Sequence, residues 1–339
     1  MQLFSIGTDE LNIDGTLKMQ GGQAIPTYTQ DTIEGFANAF TGWTYAPVTG
    51  TVSHVHNPAN WLAPMVAFES NHDETPKLLL NGKTLPAKQT AEQDLDQALQ
   101  NIFNHPNVGT FISKQLIQHL VTSNPSPAYV TRVAKVFNGK TRGDLKAVIT
   151  AILLDTEARQ GDGASASPSA TEGHLQEPVV FITGLVRALN GTASATNTLE
   201  GQSSAMGEPL FYSPSVFNFF SPAYQPSSHS KLLGPEFELY SQASAMVRAD
   251  FVNSLVYGTL TGVTIDLAPF EKLASNPGVL LDALNAAMLD GHMPSDMRST
   301  ILTALQAIPK NQPTANQYKQ MTQAAAYLIG SSSQYQVMR

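Results

Sequence analysis

Ala91-Glu92-Gln93-Asp94-Leu95-Asp96-Gln97-Ala98-Leu99-Gln100-Asn101-Ile102-Phe103 opens the part of the chain that decides its fold. Leu95, Leu99, Ile102 and Phe103 recur at helical spacing and predict an amphipathic helix with those residues on its apolar face. His105-Pro106 stops it. The same period returns over 107–122 at Val108, Phe111, Ile112, Leu116 and Leu120. Asn124-Pro125-Ser126-Pro127 breaks the chain and starts a third helix, with Pro127 suited to its first turn and Phe137 at its end. Gly143-Asp144 opens a fourth, apolar at Leu145, Val148, Ile149, Ile152 and Leu153. Four helices in succession predict a mainly α fold, a multi-helix array.

Towards the N-terminus, residues 1–30 are polar and glycine-rich and read as turns. Thr29 or Asp31 caps a helix carrying Ile33, Phe36, Ala37 and Phe40, closed by Gly42. Residues 44–90 form an irregular insertion. Within it Pro64–Phe68 and Leu78–Lys83 suggest two short strands, and Asn81-Gly82 is a turn dipeptide. Towards the C-terminus, residues 160–173 are of low complexity and read as a linker or mobile loop. They divide a helical region, 1–159, from a second, 174–339. The second contains Phe211-Tyr212-Ser213-Pro214-Ser215-Val216-Phe217-Asn218-Phe219-Phe220-Ser221-Pro222-Ala223-Tyr224. Pro214 and Pro222 rule out one long helix, so the stretch is expected to be a structured aromatic loop.

Composition narrows the classes of function. The chain has 339 residues, 42% hydrophobic and only 14% charged, with a net charge of -8. The polar surface therefore falls to Ser, Thr, Asn and Gln, a balance common in exported proteins. The lack of any basic cluster argues against a nucleic acid or an anionic membrane surface as partner. The chain has no cysteine, which excludes disulfides, thiolate nucleophiles and cysteine-ligated metal sites. No apolar run approaches the roughly 18–20 residues of a membrane span. Met1–Gly7 carries neither a positive n-region nor a cleavage pattern, so no signal peptide is expected in this chain.

Several motifs together resemble the DUF1800 family. They are Leu3-Phe4-Ser5-Ile6-Gly7, Ala39-Phe40-Thr41-Gly42-Trp43, His72-Asp73 with Lys77, His105-Pro106-Asn107, Asn124-Pro125-Ser126-Pro127, Asp155-Thr156-Glu157-Ala158, Pro214–Phe219, Pro235-Glu236-Phe237, Ala326–Ile329 and Ser333–Val337. Their order is that of the family's C-terminal two-thirds, and the family's N-terminal helical region looks absent. The resemblance implies an extracytoplasmic location, periplasmic or secreted, and no defined reaction.

Candidate chemistry is spread over several residues. His54-Val55-His56 would put two imidazoles on one side of a strand, and His72 would complete a three-histidine site for a divalent metal. No cofactor is required by the sequence. His72-Asp73 with Lys77 is the catalytic candidate in a family-like motif: Asp73 could orient the imidazole while Lys77 holds an anionic group. The structural alternative is that Asp73 caps a turn, His72 packs locally and Lys77 makes an ion pair. Glu236 also lies in a family-like motif, and with Asp73 it is the carboxylate of choice for glycoside hydrolysis, which needs two across a cleft. Trp43, Phe217 and Tyr224 could stack on a sugar or a partner protein, with Asn218 anchoring the loop backbone. The leading expectation is a hydrolase of polysaccharide. The rivals are a non-catalytic binding or assembly protein that displays the aromatic loop, and a metal-dependent enzyme using the loop histidines.

Overall fold

A computed structural model describes residues 1–50, 54–162, 171–194, 196–228, 230–309 and 314–338. Among them are thirteen α-helices and only two-stranded antiparallel sheets, a mainly α protein. None of these helices is long and apolar enough to cross a membrane. The chain forms two compact units. The first comprises Met1–Leu116 and Ser126–Ala151, the second Ile117–Pro125 and Ile152–Arg339. The division thus falls ahead of the low-complexity stretch, and residues 117–125 go with the C-terminal half. Residues 163–170 of that stretch lie outside the described residues.

In the first unit, Thr29 caps helix Gln30–Ala39 through a reciprocal box with Thr32, and Thr90 caps Ala91–Phe103 in the same way with Gln93. Each box satisfies backbone donors that would otherwise be left unpaired at a helix start. Helix Gln30–Ala39 lies directly on the short strand Lys77–Leu78. A Cβ on Gly35 would meet the Leu78 carbonyl oxygen at 1.9 Å, so no larger residue fits there.

Of the two strands expected in the insertion, the first forms at Val66–Ala67, whereas Leu78–Lys83 is mostly a turn, with Leu80–Gly82 a 3-10 helix between two short strands. Val66–Ala67 pairs with Trp43–Thr44, and Lys77–Leu78 pairs with Thr84–Leu85. The turn between the latter pair contains Asn81 at φ 57 and Gly82 at φ 69, the left-handed conformation these residues adopt at least cost. Asn107 pins the N-terminal segment: its amide donates to the carbonyls of Ile6 and Asp9 at 2.7 and 2.9 Å and accepts from the Leu11 N–H at 2.7 Å.

Helix Ala91–Phe103 turns a different face inward from the one its apolar residues predict. Leu99 and Phe103 are 51% and 43% exposed, whereas Asp94 is buried, between Ala91 and Ala98. The small residues at 91 and 98 let the helix approach closely, and the buried carboxylate has partners there. Phe103 instead covers Arg142, whose guanidinium sits over the Phe103 and Phe137 rings.

The second unit holds the larger apolar core. Helices Pro178–Ala188, Gln242–Val256, Pro277–Leu289, Ser295–Gln306 and Thr314–Gly330 bury Phe181, Leu185, Phe251, Leu284, Leu305 and Ile329 against one another. Each such side chain contributes roughly 1.5–3 kcal/mol. His174–Leu175 pairs with Val337–Met338, tying the C-terminal end to the start of helix Pro178–Ala188.

Candidate functional site

The His72-Asp73-Lys77 motif is built into the first unit as a closed cluster. The His72 Nε2 lies 3.0 Å from Asp94 Oδ2, and Lys77 Nζ lies 2.7 Å from the same oxygen, with all three side chains fully buried. Gln89 donates to Asp94 Oδ1 at 2.7 Å. On its other side the His72 ring meets the Thr41 carbonyl at 3.0 Å, and Lys77 also donates to the carbonyls of Asp73 and Thr75. The Thr41 hydroxyl accepts from the Asp73 N–H at 2.8 Å. Gly42, at φ 80, lets the chain pass so close that a Cβ would stand 3.0 Å from the His72 Cα. The motifs Thr41-Gly42-Trp43 and His72-Asp73-Lys77 therefore meet, and what they enclose is Asp94.

Asp73 itself is half-buried. Its carboxylate accepts from the Thr75 hydroxyl and N–H. These two bonds, with Lys77 adding less, hold its pKa below the ordinary carboxylate value, so Asp73 stays ionised and caps a turn. Trp43 is half-buried in its hairpin, and its Nε1 is sealed from solvent without a partner. His54 and His56 lie exposed in a turn, not on a strand. The structure does not bring them together with His72 as a metal site: both His72 nitrogens are engaged, and no group of three metal-ligating side chains occurs among the described residues. Glu236 belongs to the second unit and Asp73 to the first.

Within the second unit the aromatic loop is the most prominent surface feature. Phe211 is 100% exposed, Tyr212 75%, Val216 72% and Phe217 52%. Phe211 and Asn218 both adopt left-handed backbone, at φ 65 and φ 69. Asn tolerates this, but for a bulky residue it costs about 1–2 kcal/mol, and at Phe211 the strain supports a ring that touches solvent all round. Serine hydroxyls fold the tip: Ser213 donates to the Ser215 carbonyl, and Ser215 accepts from the Phe217 N–H, both at 3.1 Å.

The far half of the loop is moored. Phe220 is buried and packs on His119, ring centroids 6.3 Å apart. The Ser221 N–H donates to Glu238 at 2.7 Å, and Gly234 donates to the Tyr224 carbonyl at 2.9 Å. Asn124 makes two hydrogen bonds to Leu233, accepting from its N–H at 2.8 Å and donating to its carbonyl at 2.9 Å. Tyr224 is half-buried.

Below this mooring lies His174, which sequence reasoning missed, as it did His119 and Arg248. His174 Nδ1 stands 3.2 Å from Glu236 Oε1, both side chains buried, while His174 Nε2 and Glu236 Oε2 have no partner. His119 keeps solvent contact but its pKa is lowered, first by desolvation, with Glu236 opposing and His174 adding. Next along the chain, Arg248 is buried, donating to Gln336 Oε1 and the Gln176 carbonyl, each at 2.8 Å, beneath the rings of Phe181 and Tyr240. Burial lowers it to about 10. Glu208 accepts from the Val179 N–H at 2.9 Å at the start of helix Pro178–Ala188. Burial first, and then the neighbouring Glu177 carboxyl, raise its pKa to about 7. The one local feature that puts Arg248 on the inside is its helical spacing from Ser244, Phe251, Val252 and Leu255, all buried on Gln242–Val256. His119 and His174 carry no local signal, because Phe220 and Glu236, which they meet, are distant in sequence. In the first unit, Trp61 and Leu62 form a second exposed apolar pair, 81% and 98% exposed, that sequence reasoning also passed over.

These features define a mainly helical protein whose polar motif residues are largely buried and which exposes Phe211, Tyr212 and Phe217 together on one loop. The family model described as "Protein of unknown function (DUF1800)" matches residues 1–337, essentially the whole chain, and the chain belongs to that family. No curated protein and no solved structure matches it.

Proposed function

We propose that this chain is a non-catalytic binding protein that presents residues 211–217 to a partner protein with an apolar surface. The observation that carries the reading is the exposure of Phe211, Tyr212, Val216 and Phe217 within seven residues of a loop whose other half is anchored. Clustered exposed apolar groups mark interaction sites, whereas scattered ones do not. Two Phe and a Val lack the polar edges that sugar platforms use, which favours a protein partner over a glycan. A location outside the cytoplasm is part of the proposal, supported by the low share of charged residues.

Polysaccharide hydrolysis has one observation in its favour, the raised pKa of Glu208 beside Glu177. Its weakness is that Glu208 is buried and bonded to Val179 and Ser203, which leaves it no visible approach to a sugar. The test is selection of peptides on the purified chain, with sedimentation on insoluble cellulose, chitin and xylan alongside. Apolar peptides that bind the chain and lose affinity for Phe211→Ser/Phe217→Ser support the proposal. Binding to a glycan lost in the same variant, or release of sugars abolished by Glu208→Gln, overturns it.

A further inference from the structure

Lys77 and Asp94 meet out of reach of solvent. Lys77 Nζ lies 2.7 Å from Asp94 Oδ2, and neither side chain has any exposure. A nucleophilic amine held against a carboxyl group is the reactant pair of an amide bond. In water both charges are solvated and hydrolysis opposes condensation. A closed site removes that opposition, and fixed geometry supplies the encounter in advance. Asp73, the other carboxylate near Nζ, stands 3.8 Å away with its side chain 30% exposed, so it keeps its contact with water.

The neighbouring groups give the two oxygens of Asp94 separate parts. Oδ1 accepts from Gln89 Nε2 at 2.7 Å, which supplies a donor where negative charge develops when an amine adds to Cγ. Oδ2 takes both Lys77 Nζ and, at 3.0 Å, His72 Nε2. On the far side of the ring, Nδ1 lies 3.0 Å from the Thr41 carbonyl. A carbonyl only accepts, so Nδ1 carries a proton and Nε2 is the nitrogen that exchanges one with Oδ2. Oδ2 is thus the oxygen equipped to leave.

We propose that Lys77 and Asp94 condense into an intramolecular amide (isopeptide) bond. The Nζ–Cγ bond forms and the Cγ–Oδ2 bond breaks. The ammonium and the carboxylate together lose one water: both protons that Nζ gives up end on Oδ2, one of them passed through His72 Nε2. No oxidant or co-reactant is needed. The ion pair is the state before this step. The product ties strand Lys77–Leu78 covalently to helix Ala91–Phe103, in a chain that has no cysteine for a disulfide. The inference stands apart from the aromatic loop, which belongs to the second unit.

Mass spectrometry of the whole purified chain, denatured in guanidinium after incubation in the folded state at neutral pH, tests it. The wild type is expected to be lighter than its sequence by one water. Trypsin does not cut after an acylated lysine, so the digest is expected to release residues 19–83 joined to residues 89–114. Lys77→Met is expected to show its full sequence mass and to release residues 89–114 alone. A wild type at its full sequence mass overturns the proposal. So does a water loss confined to a single peptide, the mark of a cyclic imide at an aspartate, or one that persists in Lys77→Met.

Discussion

Asp94 receives His72, Lys77 and Gln89 at distances of 3.0, 2.7 and 2.7 Å with no solvent access. Removing the carboxylate's charge strands a buried ammonium, which typically costs 3–5 kcal/mol. Asp94→Asn is therefore expected to lose about that much in urea unfolding, and the loss identifies the His72-Asp73-Lys77 motif as structural. A loss of under about 1 kcal/mol would contradict this, because only a solvated pair is worth so little. Glu208 makes a prediction in the other direction. Its native pKa of about 7 exceeds the ordinary 4.5, so the native state holds more protons between these values. Its contribution is fully present below about 4.5 and is lost as pH rises through about 7. Glu208→Gln keeps an acceptor for the Val179 N–H and is expected to flatten this slope, gaining on the order of 2 kcal/mol relative to wild type at pH 8. Parallel stability–pH curves for the two proteins would refute the assignment.

At the scale of elements, the moored half of the aromatic loop depends on Asn124, which reaches across to Leu233 with two hydrogen bonds. Asn124→Ala is expected to speed amide hydrogen exchange around residues 224–234 by roughly tenfold, the worth of one to two net hydrogen bonds. Helix Pro178–Ala188 should exchange as before. Sequence alone made the loop legible, since Pro214 and Pro222 interrupt any helix. Its mooring was not legible, because Gln118, His119 and Asn124 lie about a hundred residues from what they hold. Helix Ala91–Phe103 shows the same boundary. Its existence and its Thr90 cap follow from local chemistry, but its orientation follows from His72 and Lys77, which outweigh the apolar stripe of Leu99 and Phe103. Of the strand signals, only Val66–Ala67 and Leu78 became strand, and their partners Trp43–Thr44 and Thr84–Leu85 carried none, because two-residue strands hold too little pattern to read.

For the whole molecule, the mainly α class was readable from four consecutive periodic segments, and the family from motifs spread along the chain. The roles of those motifs were not readable from residue type. Asp73 and Lys77 have the composition of a catalytic site, yet Lys77 is fully buried against Asp94 and Asp73 caps a turn. Glu236 is sealed beneath the loop with His174. Among its most exposed apolar side chains, by contrast, are Phe211, Tyr212 and Val216, with Phe217 beside them on the same loop. The most direct measurement is the affinity of a selected apolar peptide for the wild-type chain and for Phe211→Ser/Phe217→Ser, with melting temperatures taken in parallel. The binding account predicts at least a hundredfold weaker affinity for the variant, about 2.7 kcal/mol, at an unchanged melting temperature. Equal affinity in a variant that melts normally would contradict it.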